Sequence, residues 1–167
     1  KLKVDGSEHG LGDVSLSAGF QLYRGEGKNP RAVALRATVK LPTGDSDTLL
    51  GSGSTDFSAW ITASDSYALG IGHATLYAAA GLTVMTEGDV LPEQQRDHVA
   101  FGSVGAGWNP LSWLALKVQV DAHTPFYNDS DFKPLDANAA QLLIGGTLAL
   151  SKSTTLDIAV SEDLAAT

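Results

Sequence analysis

Leu114-Ala115-Leu116-Lys117-Val118-Gln119-Val120-Asp121-Ala122-His123 is the stretch on which the fold turns. Leu114, Leu116, Val118, Val120 and Ala122 alternate with Ala115, Lys117, Gln119, Asp121 and His123. A strand sends successive side chains to opposite faces, so this order makes one apolar and one polar face. A helix would scatter the four polar residues around its cylinder.

The same period extends outward in both directions. Towards the start, Val14, Leu16, Ala18, Phe20 and Leu22 alternate with Ser15, Ser17, Gly19 and Gln21. Val33, Leu35, Ala37, Val39 and Leu41 oppose Ala34, Arg36, Thr38 and Lys40, and Phe57, Ala59, Ile61 and Ala63 oppose Asp56, Ser58, Trp60, Thr62 and Ser64. A fourth strand is expected over 74–85, and a fifth, Gly-rich one with poorly distinguished faces over 99–108. The seventh places Leu142, Ile144, Leu148 and Leu150 on one face; the eighth places Leu156, Ile158 and Val160 opposite Thr155, Asp157, Ala159 and Ser161. No segment reads as a helix.

The connections sort by parity. Arg24 to Pro30, Asn109 to Ser112 and Ser151 to Thr154 are short, and Asp65 to His73 is intermediate. Pro42 to Ser54, Thr86 to His98 and Thr124 to Asn138 are longer and acidic. Outer-membrane barrels have short turns at one end and long loops at the other, whereas a soluble sandwich has no reason to do so. The strands also run close to the roughly 9–11 residues that a tilted spanning strand needs. Tyr23, Trp108 and Trp113, with Tyr67, fall near the short connections; Tyr127, Phe126 and Phe57 fall near the opposite rim. Aromatic girdles at two membrane interfaces would be placed this way. Trp60 is the exception, mid-strand on the polar face.

Composition removes several classes. The 167 residues carry 11 Lys and Arg against 19 Asp and Glu, a formal charge of -8, and no run of basic residues, which argues against a nucleic-acid partner. With no cysteine, disulfide scaffolds, thiolate zinc sites and cysteine nucleophiles are excluded. No apolar run is long enough for a transmembrane helix, which leaves strands as the only means of crossing a bilayer. No signal peptide or initiator Met is visible at Lys1-Leu2-Lys3, so the chain is expected to be mature, trimmed or a fragment.

Leu41-Pro42-Thr43-Gly44-Asp45, followed by Gly51-Ser52-Gly53-Ser54-Thr55-Asp56, resembles a pattern in Gram-negative outer-membrane barrel families. One is the MetA-pathway phenol-degradation family; the nearer one is a proteobacterial family of unknown function, to which Gly10-Leu11-Gly12-Asp13-Val14 and Ser161-Glu162-Asp163 are also similar. The resemblance implies an outer-membrane barrel and brings no activity or catalytic residues with it. Such barrels usually finish on an aromatic residue, and Leu164-Ala165-Ala166-Thr167 does not, so missing strands at one or both ends are expected. Read on its own chemistry, the motif is a turn: Pro42 removes a ladder donor, Gly44 and Asp45 suit a tight turn, and Gly51 and Gly53 let the loop re-enter the next strand. Calcium or lipopolysaccharide bridging through Asp45, Asp47 and Asp56 is the minor alternative.

The fold expected is therefore all-β, an antiparallel up-and-down transmembrane barrel. About eight strands lie in one domain over residues 1–167, closing alone or within a larger barrel. Arg36, Lys40, Lys117, Gln119, Asp121, His123 and Asp157 should line the lumen, because an Arg or Lys facing lipid near the midplane costs about 2–4 kcal/mol. They serve either as a salt-bridge network that plugs the interior or as a lining that selects a small polar solute. Ser103, Asp121 and His123 invite a hydrolase reading, but the chain has no Gly-x-Ser-x-Gly elbow. His9, His73 and His98 lack metal-ligand spacing, and Asp129-Ser130-Asp131 lacks the rest of a calcium loop. No enzyme activity, metal or cofactor is expected. The expected partners are membrane lipid, lipopolysaccharide and a small solute; the expected location is the outer membrane; the expected role is a channel or passive transporter. The alternatives are a plugged structural barrel and a soluble β-sandwich binding module.

Overall fold

The computed structural model describes residues 9–48, 50–89, 92–128 and 137–166. They form one sheet of eight strands in the order of the chain: β1 (Val14–Arg24), β2 (Arg31–Leu41), β3 (Asp56–Ala68), β4 (His73–Met85), β5 (His98–Leu111), β6 (Leu114–His123), β7 (Ala139–Ala149) and β8 (Thr155–Ala166). Every neighbouring pair is antiparallel. Among the described residues β1 and β8 are the free edges, and a second sheet, as a sandwich would need, is not formed. Among the described residues the one helical element is a single 3-10 turn, Pro92–Gln94. No helix among the described residues is long and apolar enough to cross a membrane, which says nothing about strands.

The register carries the faces from strand to strand. Gly19 stands opposite Arg36, and the row continues through Trp60, Gly81, Phe101, His123 and Ala139 to Ala166. The row enters mid-strand on β1 and leaves at the end of β8. This accumulated stagger is what tilts strands in a barrel. The neighbouring row on the other face runs Phe20, Leu35, Ile61, Ala80, Gly102, Ala122 and Ala140.

Exposure follows the faces in the reverse of a soluble protein's sense. In β3 and β4 the apolar side chains are mostly the exposed ones and the polar face is sheltered. Ile61, Leu82 and Val104 are 47%, 44% and 60% exposed, whereas the edge strand β1 is exposed on both faces. A polar face sheltered without a covering layer means that the sheet curls towards it. Side chains from alternate strands accordingly meet there. The rings of Trp60 on β3 and Phe101 on β5 pack edge-on at 6.1 Å, and Tyr77 on β4 donates to Gln119 on β6 at 2.9 Å. Each contact crosses a glycine on the intervening strand. A Cβ at Gly81 would meet Trp60 and Phe101, and one at Gly105 would lie 2.5 Å from the Tyr77 ring. Glycine in a strand often marks such a close approach, and its covering by a neighbouring aromatic is a known stabilising device.

Several strand ends differ from expectation. β5 runs on to Leu111, so the expected turn Asn109 to Ser112 contracts towards Ser112 and Trp113, with a register shift between Trp108 and Leu111. β3 extends through Asp65 and Tyr67 to Ala68, because Asp65 pairs with Arg31 across the strands at 3.0 Å. Leu150 lies beyond the end of β7. Among the described residues tight burial is confined to the long-loop end, where Ser54, Gly88, Val99, Pro125 and Ala137 are buried.

Candidate functional site

The register places Arg36, Lys40, Lys117, Gln119, Asp121, His123 and Asp157 on the same, polar face, where Lys40, Gln119, Asp121 and His123 are half-buried and Arg36, Lys117 and Asp157 are exposed. It does not gather them into one cluster. Arg36 lies between Gly19 and Trp60, and Lys117 between Gly107 and Gly145. Neither forms an ion pair among the described residues. Gln119 donates to Asp121 at 2.8 Å while accepting from Tyr77, and the Thr147 hydroxyl donates to Asp157. Among the described residues, Asp121 and Asp157 are held by neutral donors rather than by Arg36 or Lys117, and the ion pairs of this face gather at Lys40.

The dense cluster lies at the long-loop end. Lys40, near the end of β2, stands opposite Asp56, the first residue of β3. Its ammonium lies 2.6 Å from the Asp56 carboxylate and 3.5 Å from that of Asp13, and it donates to Ser52 and, at 3.3 Å, to Ser54. Ser54, only 2% exposed, donates to Asp56 at 2.7 Å. Asp13 accepts from the backbone amides of Gly44 and Ser52, each at 3.0 Å, and from the Ser52 hydroxyl at 2.9 Å. Those backbone donors, ahead of the hydroxyl and the Lys40 charge, hold its carboxyl at about 2. The loop that supplies them is a tight fold: Asp45 accepts from Leu50 and Gly51 through its carbonyl, and a Cβ on Gly51 would meet the Gly44 backbone at 2.6 Å.

Sequence reading treated the Gly10–Val14 stretch and the Leu41–Asp56 motif as separate similarities, and missed Asp13. They are two halves of one clamp. Only Lys40 opposite Asp56 could have signalled it, since an unlike-charge pair at a strand end is a register marker. Asp45, Asp47 and Asp56 do not converge: Asp45 accepts the Asp47 amide at 3.0 Å, and Asp56 is taken by Lys40. No group of acidic or His residues suited to a metal occurs among the described residues.

The other long loops join the same end. Asp89 accepts from Ser46 at 2.9 Å, Gln95 bridges to Tyr127, and Arg96 and Asn128 bond the backbone of Phe126 and Gln94. Tyr127, expected near the rim opposite the short connections, lies at this end and lines a cavity with Lys40, Ser54, Asp56 and Gln95. The chain turns in after the buried Pro125 and is held there by the 86–97 loop. Asp129, Ser130, Asp131 and Asp136 lie outside the described residues. At the short-connection end Tyr23, Trp108 and Trp113 are exposed, with Tyr23 and Trp108 on the apolar face and Trp113 in the β5–β6 turn. Trp108 donates to the Ile71 carbonyl at 3.2 Å. Tyr67 and the Arg31–Asp65 pair lie at this end too, on the apolar face, and Tyr67 donates to Asp65 at 2.8 Å.

Ser103 stands opposite Asp121, but no hydrogen bond joins His123 to either among the described residues. The His123 ring faces the Thr124 carbonyl at 2.9 Å and packs on Phe126 at 5.0 Å. A nucleophile needs its base within hydrogen-bond reach, and Ser103 and His123 are not hydrogen-bonded here.

The sequence profile of a family described as "Protein of unknown function (DUF3187)" matches residues 1–167. The chain belongs to the DUF3187 family. No curated protein and no solved structure matches this DUF3187 chain significantly.

Proposed function

We propose that this DUF3187 chain is the wall of a β-barrel in the outer membrane of a Gram-negative cell, and that the barrel passes small solutes passively. The observation that carries the reading is the reversed exposure of the inner strands: Ile61, Leu82, Val104 and Ile144 stand exposed on the outer, apolar face while the residues on either side of each are half-buried. Soluble monomers rarely leave more than a few hundred Å² of contiguous apolar surface in water. Fully burying one Val, Leu, Ile or Phe side chain contributes roughly 1.5–3 kcal/mol, and lipid supplies that burial without a second protein layer. Rim aromatics at the short-connection end, and the sorting of long loops to the other, support the same placement.

For passage rather than plugging, the support is that Arg36 and Lys117 form no ion pair among the described residues. A charge in a dry lumen needs a partner, whereas one lining a wet passage is solvated. The stitched loops over the long-loop end favour a second reading, a barrel closed at that mouth. Conductance of the full-length protein in planar bilayers decides between them: discrete openings in KCl support passage, and a silent, folded barrel replaces it with the plugged reading. A monodisperse monomer without detergent would sink both.

A further inference from the structure

Two opposite charges line one trough on the polar face and do not meet. Lys117 and Asp157 border a cavity of about 280 Å³ together with Tyr77, Gln119, Gly145 and Thr147. Among the described residues the two form no salt bridge with each other or with anything else. The register explains their separation. Lys117 on β6 stands opposite Gly145 on β7, whereas Asp157 on β8 stands opposite Thr147, so a glycine-floored strand lies between the charges. Two strand spacings come to roughly 9–10 Å between backbones.

The surroundings keep the charges available. Asp121, four residues along β6 on the same face, is engaged by Gln119, and Gln119 is fixed by the Tyr77 hydroxyl. Thr147 donates to one oxygen of Asp157, and Asp157 is itself exposed beside the trough. Gly145 keeps the floor low; a Cβ there would press on the Ile158 carbonyl at 2.7 Å and on Ala159 at 2.8 Å.

We propose that this trough is a binding subsite for small zwitterions, amino-acid-like molecules whose carboxylate meets Lys117 and whose ammonium meets Asp157. A simple anion would face repulsion from Asp157, and a simple cation from Lys117; a dipolar ligand satisfies both ends. The volume lies just below the roughly 300–1,000 Å³ of drug-sized ligand sites, which limits the occupant to a small molecule. The inference rests on the proposed reading of the polar face as a water-filled lumen, which gives the trough its access.

The test is calorimetric titration of the full-length protein in detergent with ω-amino acids from glycine to 6-aminohexanoate, with hexanoate and hexylammonium as singly charged controls. A zwitterion of matching length should bind at least about tenfold more tightly than either control, a difference that one well-placed charge contact can supply. Lys117→Gln and Asp157→Asn should each abolish that preference, and Lys117→Asp combined with Asp157→Lys should restore it in a barrel of unchanged electrophoretic mobility. Equal binding of hexanoate, or an undiminished preference in either single variant, overturns the subsite. KCl conductance on the same preparation separates the two readings. Conductance without zwitterion preference refutes the subsite alone, and preference without conductance supports the subsite in a blind lumen and refutes passage.

Discussion

Asp13 precedes the first strand, yet it ties the start of β1 to the β2–β3 loop through two backbone amides and a hydroxyl. Because its folded pKa is depressed to about 2 from 3.8, its contribution is fully present above the unfolded value and is lost as pH falls through the folded one. Protease protection of the 42–54 loop should therefore hold down to about pH 4 and fade between there and pH 2 in the wild type; Asp13→Asn should weaken protection at neutral pH and flatten that dependence. The backbone amides act more strongly on Asp13 than Lys40 does. Carboxyl titration by NMR should thus find Asp13 still well below the ordinary range in Lys40→Met, and a return to the ordinary value would show that Lys40, not the loop backbone, is in charge. This residue was not legible in the sequence, because its partners come from a distant loop whose backbone direction no residue type announces. Lys40 and Asp56 were nearer to legible, being an unlike-charge pair at the facing ends of consecutive strands.

At the scale of the strand, parity decides what a position tolerates. Ile61 and Thr62 are adjacent on β3, but Ile61 lies with Leu35 and Ala80 on the apolar face and Thr62 with Ala34 and Ala79 on the polar one. Ile61→Arg should cost about 2–4 kcal/mol of stability in lipid, as cations at the midplane of the lipid face do, whereas Thr62→Arg should cost far less. Urea unfolding in vesicles measures both, and equal costs would contradict a lipid-facing sheet. The strand's other constraint is the glycine beneath each crossing aromatic. Gly105→Val should displace the Tyr77 ring and cost about 1–3 kcal/mol by overpacking. Tyr77→Phe, which loses only the bond to Gln119, should cost about 0.5–1.5 kcal/mol. The period-two pattern made β6 legible to the residue, since its faces differ in every pair, and it failed on β5. There Gly102, Gly105 and Gly107 have no side chain to declare a face, and only the neighbours that lie across them reveal it. Trp60 looked misplaced for a related reason: it is large because Gly81 beside it is small.

For the whole molecule the open question of closure becomes a measurement on β1 and β8. Along β1 the alternate backbone groups that point away from β2 have no partner among the described strands, and the same holds for β8 on the side away from β7. In water this is an ordinary sheet edge. In a bilayer each unsatisfied amide or carbonyl costs several kcal/mol, so two edges of this length could not persist in lipid. The outward amides of β1 and β8 must then be bonded in the membrane, to each other in an eight-stranded ring or to further strands between them, and either solution pairs them equally well. Hydrogen exchange on the full-length protein in vesicles should find those amides protected to the same degree as the interior amides of β4, with protection lost on transfer to urea. Fast exchange along either edge, with β4 protected, would mean that the sheet stays open and that its apolar face is covered by something other than lipid.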